Sequence, residues 1–148
     1  MIYLDTSLIV KCYVAEPGSA RVLSWLEGRR GLACCQHGRV EFFAAVMRHV
    51  RERRLKIAQA TRIFAQLAAD ENDGLWQWLP ITESLIQRTC DGLAQVSPKT
   101  PLRAADALHL ACAAEHGGDT VYTHDAHMLV AARLFGLAGV DLLADPPR

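Results

Sequence analysis

The chain has 148 residues, 51% of them hydrophobic and 22% charged, enough for one domain with its own core and too apolar for a disordered polypeptide. Sixteen basic side chains cancel sixteen acidic ones, so no global field draws the protein to nucleic acid or membrane, and any such attraction has to come from a local patch. A single domain over residues 1–148 is expected.

From the N-terminus, "IYL" reads as a buried strand that ends on Asp5, an acid that needs a partner, hydrogen bonds or a cation. Residues 6–14 suit a short helix stopped near "EPGS", and Ser19 is placed to cap a second helix running to about Gly28. "GLACC" is a second strand. Val40, Phe43, Val46, Met47 and Val50 recur at helical spacing between His37 and Arg53, as do Ile57, Ala60, Phe64, Leu67 and Ala68 in the next segment, which predicts a helical hairpin over about 37–69.

"LWQWLPI" alternates as a strand does, and Thr82 with Glu83 opens a helix that fades before the "SPKTP" loop. A long apolar helix is predicted from Leu102 to His116, ended by Gly117 and Gly118. "TVYT" is the fourth strand, residues 125–135 form a helix closed by Gly136, and "VDLL" is expected as a last edge strand. Such alternation defines an α/β domain with a mostly parallel sheet of four or five strands and helices on both faces.

The five cysteines have no framework spacing, and with a strand predicted from Ile2 no signal peptide is expected. Buried, reduced thiols and a cytoplasmic location are expected. Cys35-x-His37 and His109-x-x-Cys112 each offer two metal-binding side chains, but a structural zinc site needs four ligands and neither pair has an evident complement. No apolar run reaches the length of a membrane span.

Four acids share an address on this map. Asp5 ends the first strand, Glu41 and Asp106 lie in the first turns of helices, and Asp125 follows "TVYT". Helix-dipole complementation or N-capping accounts for each acid alone. Together they fall on the edge of a parallel sheet that holds ligands in open α/β folds, where carboxylates converging without a cation would repel one another. Oxygen-only ligation suits Mg²⁺ or Mn²⁺, and such a site does phosphoryl-transfer chemistry.

"IYLDTSLIVKCYVAEPGS", "RVEFFAAVMRHV", "LRAADALHLACA" and "VYTHDAHMLVAARLFGL" resemble the four motifs of PIN-domain ribonucleases, and most closely those of VapC-type toxins from bacterial toxin–antitoxin pairs. The resemblance implies a PIN-like fold and metal-binding, catalytic roles for Asp5, Glu41, Asp106 and Asp125. It places Ser7 and Thr123 beside the metal-holding acids. His109 matches its "DALHLA" pattern, where a helical histidine is expected to be packed or hydrogen-bonded rather than ligating. The implied activity is endoribonucleolytic, water attacking to leave 5′-phosphate and 3′-hydroxyl ends, with Mg²⁺ or Mn²⁺ as cofactor. A VapB-like antitoxin and homodimerisation are implied as well. The alternative is a non-catalytic PIN-like module that binds RNA or protein.

Two surfaces complete the expectation. In "RHVRERRLK", Arg48, Arg51 and Arg54 recur every third residue and form a stripe as long as the helix persists, either a solvated face or a track for RNA phosphates. Phe42, Leu55 and Trp25 exceed what one buried stripe requires; they either finish the core or a homodimer contact, or offer an antitoxin's amphipathic segment a place to dock.

Overall fold

The computed structural model describes residues 1–144; the last four residues of the expected domain lie outside the described residues. Its sheet has five strands: β1 (Ile2–Leu4), β2 (Leu32–Cys35), β3 (Trp76–Leu79), β4 (Thr120–Tyr122) and β5 (Ala138–Val140). They lie in the order β3-β2-β1-β4-β5, with all four pairings parallel. Pairing Tyr3 with both Ala33 and Val121 sets the central register.

Seven α-helices connect the strands: α1 (Thr6–Tyr13), α2 (Ser19–Leu26), α3 (Gln36–Arg51), α4 (Ile57–Asn72), α5 (Glu83–Gln95), α6 (Ala104–Glu115) and α7 (Ala126–Ala131). Alternate strand residues face opposite ways, so the sheet divides the core in two. Tyr3, Ala33, Cys35 and Val121 pack with α5, α6 and α7 through Leu85, Leu110 and Met128. Leu4, Leu32 and Cys34 pack with α1 to α4 through Leu8, Val22, Phe42 and Leu67. The expected layering of helices on both faces is therefore present, with five strands.

The chain order reverses at β1: β2 and β3 are laid down on one side of it, β4 and β5 on the other. Loops leaving the C-terminal ends of β1 and β4 diverge there and open a crevice, the position at which such sheets hold ligands. Asp5 and Asp125 stand on these two loops.

Several local expectations change. Gly18, at φ 90°, occupies the cap position of α2, and Ser19 is its first helical residue; the Ser19 hydroxyl accepts from the Glu16 N–H and donates to the Val14 carbonyl. The last edge strand lies at Ala138–Val140 rather than at 140–143, because Leu142 turns inward to the core instead of pairing. The buried face of α3 carries Gly38, Phe42, Val46 and His49, whereas Val40 is 71% exposed and Phe43 39%. Phe42 is fully buried and offers nothing to a partner; Leu55 and Trp25 are partly buried against the core. Cys34, Cys35 and Cys112 are buried free thiols, Cys12 is half-buried, and Cys90 is exposed on α5.

Helix α3 ends at Arg51, and Arg53 takes φ 59° in the turn that follows. Arg48 and Arg51 thus keep the helical stripe, while Arg54 leaves it and pairs with Glu52 at 3.4 Å. Among the described residues no helix is long and apolar enough to cross a membrane.

Candidate active site

The crevice is a cleft of about 600 Å³ whose lining includes Asp5, Glu41, Asp106 and Asp125, with Arg48 and Arg51 also on its wall. Four acids far apart in sequence are brought together by the end of β1, the second turn of α3, the first turn of α6 and the loop after β4.

Asp5 is 4% exposed and caps α1, its Oδ1 accepting from the Leu8 N–H at 3.1 Å and from the Ser7 hydroxyl at 2.7 Å. Its Oδ2 accepts from the Thr123 hydroxyl. Capping and site-building are thus the same act at this residue. Burial still raises the Asp5 carboxyl above its ordinary value, although Thr123, His109 and Ser7 pull the other way. A carboxylate that remains under-compensated after three hydrogen bonds is suited to a cation.

Thr123 does more than hold Asp5. Its Oγ also accepts from the Asp125 N–H at 3.0 Å, and Asp125 Oδ1 in turn accepts from the His127 and Met128 N–H groups to cap α7. One hydroxyl therefore ties the two strand-end acids together.

Glu41 behaves differently. Burial raises its carboxyl, but the hydrogen bond and charge of His109 and the Thr6 hydroxyl outweigh burial and bring it down to about 2. Three side chains converge on one oxygen, Oε2: Thr6 Oγ at 2.6 Å, His109 Nε2 at 2.9 Å and His37 Nε2 at 3.4 Å. His109 is packed and hydrogen-bonded, as its motif led us to expect, with Nδ1 2.9 Å from the Tyr3 hydroxyl.

Asp106 is 8% exposed, and the Arg103 guanidinium closes on it, Nε donating at 2.9 Å; the same group lies 3.6 Å from Asp125 Oδ2. Arg103 is 74% exposed at its side chain. An exposed guanidinium thus sits against two of the four acids, a role that sequence reasoning missed because an arginine three residues before a helical aspartate is a common solvated pair. The donor chemistry suits a hard divalent cation: four carboxylates line one cleft, Asp5 is buried and under-compensated, and Asp106 and Asp125 are paired with an exposed guanidinium.

The fold and the cleft define a class. Residues 2–134 match the model of the PIN domain, and this chain belongs to that family. It is 33% identical over 142 residues to Ribonuclease VapC47 of Mycobacterium tuberculosis, covering 92% of this chain and 93% of the relative. The structure of FitAcB from Neisseria gonorrhoeae shares the fold with a TM-score of 0.71 at 21% identity, covering 96% of this chain and 98% of the other. A structure of FitAB bound to an IR36 DNA fragment superposes at 0.60 with 20% identity, over 99% of both chains.

Proposed function

We propose that this PIN-domain chain is a Mg²⁺- or Mn²⁺-dependent endoribonuclease and the toxin of a toxin–antitoxin pair. The observation that carries the reading is the meeting of Asp5, Glu41, Asp106 and Asp125 in one cleft at the point where the sheet order reverses. The one-third identity with a VapC ribonuclease over nearly the full length of both chains supports it.

These four acids would hold the ion. A divalent ion bound there supplies a water of lowered pKa and positive charge for the leaving oxygen. The chain's own residues do the rest. Ser7, Leu8 N–H and Thr123 fix both oxygens of Asp5, while Thr6 and His109 fix Oε2 of Glu41. Arg48 and Arg51 place positive charge along the wall, where it can bind the phosphates of a polyanion that the neutral protein as a whole would not attract. Arg54, beyond the end of α3 and paired with Glu52, contributes less.

Water attack in line with the 3′ oxygen leaves 5′-phosphate and 3′-hydroxyl ends. A small VapB-like antitoxin fits the same reading, as does a homodimer. The exposed apolar side chains Val40, Phe43 and Ile57, on and beside α3 and α4, give an amphipathic partner segment a surface in place of the buried Phe42. The test is cleavage of total cellular RNA with Mn²⁺ by wild-type, Asp5→Asn and Asp106→Asn proteins. Loss of cleavage in both variants, with folding retained, is the expected result. Wild-type cleavage by either variant overturns the assignment, and a wild-type chain that binds RNA without cutting it would establish the binding-module alternative.

A further inference from the structure

His37, Glu41 and His109 form a second cluster beside the carboxylate cleft. His37 and Glu41 lie one turn apart on α3, and His109 comes from α6. Among the described residues they are the set of three histidine, cysteine or acidic side chains whose ligand atoms all lie within 4.8 Å of one another. The two imidazole rings stand 4.3 Å apart, tilted by 50°. Gly38 permits this approach: a Cβ there would lie 2.6 Å from Cys34 Sγ and 3.2 Å from His109 Cε1.

His37 is the unexplained member. Neither of its buried ring nitrogens makes a well-aligned hydrogen bond, although Nε2 is 3.4 Å from Glu41 Oε2 and the Cys35 thiol lies within reach of the ring. Buried polar atoms are almost always satisfied, and a cation beside Glu41 would satisfy Nε2, one of these two nitrogens, while using the acid it faces. Around an ion with bonds of about 2.1 Å, neighbouring ligand atoms stand roughly 3.0 to 3.4 Å apart. Glu41 Oε2 lies 2.9 Å from His109 Nε2 and 3.4 Å from His37 Nε2, separations suited to such edges.

We propose that His37, Glu41 and His109 form a second cation site, taking a borderline-soft transition ion such as Zn²⁺ or Co²⁺, with Glu41 shared between it and the carboxylate set. Two imidazoles and one carboxylate select such ions over Mg²⁺, which prefers oxygen and retains its water. Glu41 and His109 line the cleft, so an ion has a way in. Tyr3 supplies the support that a ligating histidine needs. The Cys35 N–H donates to the Tyr3 oxygen at 3.0 Å, and that oxygen lies 2.9 Å from His109 Nδ1, so the ring is held at one nitrogen while Nε2 faces Glu41.

The site stands whether or not the cleft cuts RNA, and its test separates the two. Co²⁺ is titrated into the full chain in a large excess of Mg²⁺, and binding is read by visible absorption and by the contact-shifted imidazole protons. One tightly bound Co²⁺ with two shifted imidazoles is expected in the wild type and equally in Asp106→Asn, which removes an acid of the other set only. His37→Gln should weaken that binding by about tenfold or more. Co²⁺ displaced by Mg²⁺, or held equally by folded His37→Gln, overturns the proposal. If His37→Gln does not fold, the wild-type spectrum decides alone: two shifted imidazoles support the site, and none or one refutes it.

Discussion

The Thr123 hydroxyl donates to Asp5 Oδ2 across 118 positions of sequence and accepts from the Asp125 N–H, so the ends of β1 and β4 are locked to each other by one oxygen. Thr123→Val keeps the shape of the side chain, leaves a buried carboxylate oxygen and a backbone N–H without this partner, and should cost about 1.5 to 3 kcal/mol. Thr123→Ser, which keeps the hydroxyl, should recover most of that loss. Denaturant melts of the three proteins measure it; equal midpoints would show that the lock contributes nothing.

Asp5 has the opposite sign. Its folded-state carboxyl is raised above the ordinary value by burial, so the charged form is disfavoured in the metal-free fold, and stability falls as pH rises through the unfolded value towards the folded one. Removing the charge should therefore stabilise the metal-free protein at neutral pH. Asp5→Asn lifts that charge penalty at the cost of one acceptor for its three donors, and is expected to lose the stabilisation that Mn²⁺ gives the wild type. An Asn variant that still gains as much from Mn²⁺ as the wild type does would contradict the assignment.

Glu41 is held at about 2 in the fold, so its contribution is present above its unfolded value and is lost as pH falls towards 2. Glu41→Gln should be less stable than wild type at pH 7, by an amount that solvent screening keeps modest because the side chain is 36% exposed. The gap should narrow between pH 5 and pH 3. Paired thermal melts across that range check the slope; a gap that widens on acidification is the wrong sign.

Arg103 competes with a cation for Asp106 and Asp125. Because the guanidinium is mostly exposed, its hold on them is weak, about 1 kcal/mol or less. Arg103→Met should tighten Mn²⁺ binding by no more than about fivefold, read by calorimetry. Looser binding would mean that Arg103 supports the acids rather than occupying them.

How much of this was legible in the chain depended on where each cause lies. Asp5, Glu41, Asp106 and Asp125 could be placed because strand ends and helix starts are local events, and a parallel sheet collects them on one edge. The face of α3 was misjudged by one residue, since Phe42 and Phe43 are adjacent and only packing on α1 and β2 decides which is buried. The last strand shifted because an Ala-Gly-Val edge has little intrinsic strand preference, and its pairing to β4 fixes it instead. His37 showed only as half of a Cys-x-His pair. Its true neighbour, His109, is a tertiary fact set by the closeness of Gly38 to α6.

The basic stripe gives a graded expectation. Neutralising Arg48 and Arg51, which line the cleft, should weaken RNA binding and flatten its dependence on salt by about two counterions, whereas Arg54→Gln should change the slope little. Binding isotherms at several salt concentrations distinguish the three positions. Equal effects at all of them would mean a diffuse surface charge rather than a track.

The chemistry of the cut ends tests the central claim most directly. With purified protein, Mn²⁺ and an RNA carrying a single 2′-deoxy residue at the cleavage position, the acid cleft predicts continued cutting to 5′-phosphate and 3′-hydroxyl ends, because water rather than the neighbouring 2′-hydroxyl attacks. A 2′,3′-cyclic phosphate on the all-ribose substrate, with cutting lost on the deoxy one, would contradict it.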